Sequence, residues 1–149
     1  DWLCKPIDTD RLLAALRLAI GGEDRPAILH VEDDGDIRAV VKFIVGESAD
    51  LHSVETCNDA REALALRDYD LVLLDVGLPD GCGLDLLSQL GSTTPVLVFS
   101  AQELSPKASK RVSSALVKSR TSGDELLSSI LSLTTRRASV ATDAGDTNE

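Results

Sequence analysis

From residue 27 onward, short apolar runs alternate with stretches whose apolar residues recur at helical spacing, and this alternation leaves few folds open. Ala27–Val31 reads as a buried strand, followed by Ile37, Val40, Val41, Ile44 and Val45 spaced as on a helix. Leu51–Val54 is a shorter strand, and Asn58 is the expected N-cap of a helix with Ala60, Ala63 and Leu64 on one face. Leu71–Leu74 is strand-like and ends at Asp75; Gly81 and Gly83 then mark a turn ahead of Leu84, Leu87 and Leu90. Pro95–Phe99 is the next strand, and the polar stretch from Ala101 to Ser114 has room only for a short helix. Ala115–Val117 is a small strand ending at Lys118, after which Ser122 and Glu125 form a capping box for a helix with Leu126, Leu127, Ile130 and Leu131 on one side. Five strands and five helices in strict alternation mean βαβ units. The expected fold is α/β: a flavodoxin-like, doubly wound, five-stranded parallel sheet in the order 2-1-3-4-5, with helices on both faces.

Composition supports a core and narrows the partners. Of 149 residues, 43% are apolar, while aromatics are limited to Trp2, Phe43, Tyr69 and Phe99, so the core is expected to be aliphatic. The formal charge of -10 repels phosphate backbones and anionic bilayers, which argues against direct nucleic-acid or membrane binding. Cys4, Cys57 and Cys82 are scattered, with no CxxC pair, and fit a reducing cytosol better than a zinc site or a disulfide framework. No apolar run approaches the length of a membrane span. The first residue is Asp1 and no secretory segment follows, so the chain reads as a piece of a longer cytoplasmic protein.

The two ends differ from the middle. Residues 1–22 carry Asp1-Trp2-Leu3-Cys4-Lys5-Pro6-Ile7, then Leu12, Leu13, Leu16 and Ile20 at helical spacing, stopped by Gly21-Gly22. Residues 135–149 lack periodicity and are rich in Thr, Asp, Ala and Gly, which reads as a disordered tail. The expected division is therefore 1–22, a body at 27–134, and a tail at 135–149.

Open α/β sheets bind ligands at the carboxyl ends of their strands. Here those ends carry Glu32-Asp33-Asp34, Asp75, Ser100-Ala101 and Lys118. Each has an ordinary reading by itself: acids favour helix N-termini, Asp favours turns, Ser caps helices, and Lys is solvated at strand ends. Their convergence on one edge is the informative feature. Bringing a phosphoryl group to a carboxylate joins two anions, so a hard cation with oxygen ligands is needed, and Mg2+ commonly uses one or two carboxylates. A carboxylate left free by the metal can act as nucleophile, while an ammonium and a hydroxyl stabilise the charge that develops.

At these residues the chain resembles the receiver domain of two-component response regulators. The resemblance rests on Ile28-Leu29-His30-Val31-Glu32-Asp33-Asp34, Leu71-Val72-Leu73-Leu74-Asp75-Val76-Gly77-Leu78-Pro79-Asp80-Gly81, Val96-Leu97-Val98-Phe99-Ser100-Ala101 and Ala115-Leu116-Val117-Lys118, and it covers 27–134. It implies that Asp75 is the phosphorylated aspartate. It makes Asp33 a direct ligand of Mg2+ (or Mn2+), with Glu32 as its partner, Asp75 itself contributing, and the backbone carbonyl of Gly77 as a further ligand. Ser100 then matches the switch hydroxyl and Lys118 the phosphoryl-pairing lysine, while Asp34 is left as a helix N-terminal acid.

The implied phosphodonor is a histidine kinase or a histidine phosphotransfer protein, within a hybrid sensor kinase or multi-receiver regulator. Contacts with other domains of the parent chain and homodimerisation are the other expected partnerships. Residues 1–22 resemble the end of a preceding receiver, a linker helix being the alternative. Three departures bear on output: Lys118 is followed by Ser119 rather than proline, Ala115 stands where an aromatic is usual, and the segment between Ser100 and Lys118 is short.

Two rivals follow. One is a receiver fold used for docking or dimerisation with little or no phosphorylation. The other is an aspartyl-phosphate hydrolase of the haloacid dehalogenase type, which needs a second acid two residues past the nucleophile; Gly77 stands there and cannot move a proton. The expected domain is a phosphoacceptor, not an enzyme in the usual sense. His30 and His52 read as sheet histidines rather than phosphoacceptors.

Overall fold

The computed structural model describes residues 25–146 apart from Glu47 and Ser92, with side chains described as far as Thr134. The expected terminal module at 1–22 lies outside the described residues. Five parallel strands form the sheet: β1 (Ala27–Val31), β2 (Asp50–Val54), β3 (Leu71–Leu74), β4 (Val96–Ser100) and β5 (Ser114–Val117). Their order is β2-β1-β3-β4-β5, as expected from the alternation. Around them lie α1 (Gly35–Val45), α2 (Cys57–Leu66), a 3-10 helix (Gly83–Gln89), α3 (Pro106–Ser109) and α4 (Gly123–Asp146).

Alternate residues of the strands feed two aliphatic layers. Leu29, Val31, Val72, Leu74, Val96 and Val98 face α2 and the 3-10 helix, where Cys57, Ala60, Ala63 and Leu86 meet them. Ile28, Leu71, Leu73, Leu97 and Phe99 face α1 and α4, where Val41, Val45, Leu126, Ile130 and Leu133 close the other side. All residues of β1, β3 and β4 are buried, which is why these strands read as continuous apolar runs. Each such Leu or Ile stabilises the fold by roughly 1.5–3 kcal/mol through burial.

Three local differences from the sequence reading have physical causes. The N-cap of α2 is Thr56, whose hydroxyl accepts from Asp59 N (3.0 Å); Asn58 lies inside the helix, and its amide is taken by Asp80 Oδ2 (3.0 Å). The helix expected after Gly83 is a 3-10 helix, in keeping with Leu84, Leu87 and Leu90 recurring every third residue rather than at mixed three-and-four spacing. The backbone of α4 continues past the expected body to Asp146; its sequence past 134 contains no proline, and its first glycine there is Gly145. Other expectations agree: Asp34 caps α1 through Asp36 N and Ile37 N, Ser122 Oγ accepts from Glu125 N at the start of α4, and α3 is only four residues long.

Candidate functional site

The register places the carboxyl ends of the inner strands side by side. Val31 pairs with Leu74, Leu74 with Val98, and Ser100 with Val117, so the residues leaving β1, β3, β4 and β5 emerge on one edge. Backbone bonds extend the alignment past the strands: Asp75 N donates to Val31 O, and Glu32 N to Val54 O, both at 3.0 Å.

Glu32, Asp33 and Asp75 converge there. One carboxylate oxygen from each lies within 4.8 Å of the others, with Glu32 and Asp75 buried and Asp33 exposed. Lys118, at the end of β5, reaches both buried acids: its Nζ is 2.6 Å from Glu32 Oε2 and 3.2 Å from Asp75 Oδ2. The close contact to Glu32 is an ion pair without hydrogen-bond alignment, so Oε2 is buried with no aligned donor. Its other oxygen accepts from Asp34 N at 3.2 Å. Burial is the largest influence on the Glu32 carboxyl and, with the charge of Asp75, pushes its pKa up to about 7 against the opposing pull of Lys118 and the Asp34 amide. On Lys118, burial works downward, but the contact with Glu32 and the charges of Glu32 and Asp75 outweigh it and raise its pKa. Three acids facing one ammonium, with a buried oxygen lacking an aligned donor, suit an added divalent cation with oxygen preference.

Ser100 is buried at the end of β4, paired in register with Val117, the residue before Lys118. Gly77 opens a two-residue hairpin in which Gly77–Leu78 pairs with Gly81–Cys82. His30 is buried in β1, where desolvation, helped by Lys118 and Arg38, lowers its pKa to about 4 and keeps it neutral. His52 is exposed on β2, and its Nδ1 lies 2.7 Å from Tyr69 Oη.

The sequence reading overlooked three supporting residues. Arg38 on α1 donates through Nη1 to Glu32 O (2.8 Å) and through Nη2 to Glu55 Oε1 (2.9 Å), clamping the strand end that carries the acids. Its position one turn after the acidic run was the available signal. Asp80 spans from the hairpin to the start of α2, accepting from Cys57 N (2.8 Å) and Asn58 N (3.0 Å). These backbone bonds hold its carboxyl below the usual range. Gly83 is required by close approach: a Cβ there would lie 2.1 Å from Asp75 O, and Gly83 N donates to Val76 O at 2.7 Å. A glycine after an acidic turn was visible; what it packs against was not.

Comparison with known proteins agrees with this edge. The family model described as response regulator receiver domain matches residues 28–118. The chain belongs to that family. Over 81 residues it is 40% identical to the response regulator protein PilR of Pseudomonas aeruginosa, a match covering 52% of the chain and 18% of PilR. It is 36% identical over 78 residues to the KDP operon transcriptional regulatory protein KdpE of Escherichia coli, covering 50% of the chain and 35% of KdpE. The chain thus spans well under half the length of these relatives. Among solved structures, the signal receiver domain of a putative LuxO repressor protein from Vibrio parahaemolyticus superposes with a TM-score of 0.70 at 27% identity, covering 81% of this chain and 98% of that one. A CheY-like receiver domain from Methanospirillum hungatei shares the fold, with a TM-score of 0.69 at 21% identity, covering 76% of this chain and 97% of that one.

Receiver domains are phosphoacceptors of two-component systems rather than classical enzymes, and phosphorylation and Mg2+ are typical of the family. The expectation of no nucleic-acid partner draws no support from these relatives, since KdpE is named as a transcriptional regulator. Among the described residues, no helix is long and apolar enough to cross a membrane.

Proposed function

We propose that Asp75 accepts a phosphoryl group from a phosphohistidine, carried by a histidine kinase or a histidine phosphotransfer protein, in a Mg2+-dependent reaction. The observation that carries this reading is the convergence of Glu32, Asp33 and Asp75 within 4.8 Å, with Lys118 in contact with both buried acids. Glu32, Asp33, Asp75 and the Gly77 carbonyl are the groups to hold Mg2+ (Mn2+ can replace it). When bound, the cation supplies charge neutralisation between the incoming phosphoryl oxygens and the acids.

The chain's own residues do the remainder. Asp75 is held by its amide on Val31 O, which fixes its backbone at the strand end while one carboxylate oxygen attacks phosphorus. Lys118 Nζ, already 3.2 Å from Asp75 Oδ2, offsets the charge that gathers on the phosphoryl oxygens. Ser100 donates its hydroxyl to the modified side chain, and the loops after β4 and β5 shift with it. As the O–P bond to Asp75 forms, the P–N bond of the phosphohistidine breaks and its electron pair leaves with the imidazole. The imidazole departs neutral because its other nitrogen carries the proton; Asp75 reacts as the anion, so no base is needed at Gly77. The phosphodonor places the domain in the cytoplasm, as one module of a larger signalling protein of the hybrid-kinase or multi-receiver kind.

Acetyl phosphate or beryllofluoride with Mg2+, followed by amide chemical shifts, tests the reading. Changes spreading over 75–77 and 100–118 are expected in the wild type and absent in Asp75→Asn. A second reading, a docking or dimerisation module that is seldom phosphorylated, is favoured by Ala115, which is exposed on β5, and by the four-residue α3. Silence toward phosphodonors together with a stable dimer in solution selects it.

A further inference from the structure

The hairpin beside Asp75 and the start of α2 each carry a cysteine, and the two residues touch. Cys57, the first residue of α2, is buried, and its Sγ donates to the carbonyl oxygen of Cys82 at 3.7 Å. Cys82 is exposed at the end of the hairpin, opposite Gly77. The contact is not left to chance. Asp80, two residues before Cys82, binds the amides of Cys57 and Asn58 and so fastens the hairpin to the helix start. Twenty-five residues of chain separate two thiol-bearing positions that the fold holds in contact.

We propose that Cys57 and Cys82 are a redox-modifiable pair that closes to an intramolecular disulfide when challenged by a disulfide oxidant of the glutathione class. The order of events follows from exposure. The Cys82 thiolate attacks the oxidant and forms a mixed disulfide, releasing one glutathione thiolate. Cys57 then loses its proton, attacks the Cys82 sulfur and expels the second glutathione thiolate. Two protein thiols are oxidised by two electrons, one glutathione disulfide is reduced to two thiols, and the protons from Cys57 and Cys82 end on those thiols. Burial, followed by the nearby charge of Asp80, raises the Cys57 pKa, so Cys57 is the resolving thiol rather than the first to react. Closing the bond requires the exposed Cys82 side chain to turn toward Cys57, whose sulfur already lies 3.7 Å from the Cys82 carbonyl. The link would replace a hydrogen-bonded dock between hairpin and helix with a covalent one. It stands independently of whether Asp75 takes a phosphoryl group.

The test uses the full chain with Cys4→Ser, which removes the one remaining thiol. The protein is equilibrated across glutathione redox ratios, quenched with acid and mapped by mass spectrometry, once under native conditions and once in urea. The native fold is expected to give the Cys57–Cys82 cross-link with an effective concentration at least ~10-fold above that of the unfolded chain, because proximity is supplied by the fold. With Cys57→Ser added, Cys82 is expected to stop at the mixed disulfide. An effective concentration in the native state equal to or below that in urea overturns the proposal. So does a native protein that halts at glutathionylated Cys82 while Cys57 is still present.

Discussion

The inner sheet and the outer strand are built differently, and the site takes opposite charges from the two. β1, β3 and β4 are buried along their whole lengths; β1 delivers Glu32 and Asp33, β3 delivers Asp75, and β4 ends in the buried Ser100. β5 is an edge strand, half-buried at best, preceded by a helix of four residues, and it delivers Lys118. Three carboxylates within 4.8 Å repel one another, and a rigid support together with the Lys118 ammonium keeps them together. The cation rides on the looser element. If Asp75 takes a phosphoryl group as proposed, the buried strands hold the acids and the less buried edge strand carries the counter-charge.

The largest effect should come from hollowing the rigid side. Leu97→Ala removes a fully buried side chain between α1 and α4 and is expected to cost about 2–5 kcal/mol in urea unfolding. Leu116→Ala, on half-buried β5, should cost less than half as much. Equal losses would break the contrast between the two regions. Next comes the charge carried by the outer strand. Lys118→Met should slow acyl-phosphate formation from acetyl phosphate on the order of 100-fold by removing a stabilising donor. It should lower the unfolding midpoint by less than Leu97→Ala does, since the buried Glu32 and Asp75 lose their counter-charge. A loss of stability matching that of Leu97→Ala would show that Lys118 holds the fold and not only the chemistry.

Gly83→Ala sharpens the same point from the backbone side. Its new Cβ must displace the Asp75 carbonyl, an overpacking worth about 1–3 kcal/mol, and Mg2+ affinity should fall with it because Asp75 moves. Titration of Mg2+ into both proteins reads this directly; unchanged affinity would mean the acceptor loop yields without moving its side chain. The smallest effect is expected at exposed Asp80. Its folded pKa lies below the ordinary 3.8, so the stability it contributes is present above that value and is lost as pH falls through the folded one. Asp80→Asn should therefore unfold at lower urea than the wild type at neutral pH, with the gap closing in acid. A gap that persists at pH 2 would assign the effect to shape instead of charge.

Much of this molecule was legible before any coordinates. The apolar runs of β1, β3 and β4 gave those strands because strands buried on both faces leave no polar positions to hide them. Ser100, Asp75 and the Glu32-Asp33 pair stood out because each ends or follows such a run. β2 and β5, largely half-buried or exposed, were marked only by shorter runs. The helix after Gly83 is a 3-10 helix, and the spacing of Leu84, Leu87 and Leu90 agrees with it without marking the type on its own. Thr56 was passed over as a cap in favour of Asn58, since both are good caps and only the path of the chain selects between them. Arg38 and Asp80 went unnoticed because a charged residue on a helix or turn has many uses, and nothing local says which backbone group it will meet.

What the order of residues determines by itself is periodicity: which segments are buried on two faces, which on one, and which chemical groups sit at their ends. Those are short-range properties, written within a few residues of each other. What only the tertiary structure decided is contact across long separations. Lys118 reaching Glu32, Gly83 lying under the Asp75 carbonyl and Cys82 against Cys57 all depend on strand order and on how closely the turns pack. Distances between segments are set by the filling of a shared core, and no local pattern encodes them.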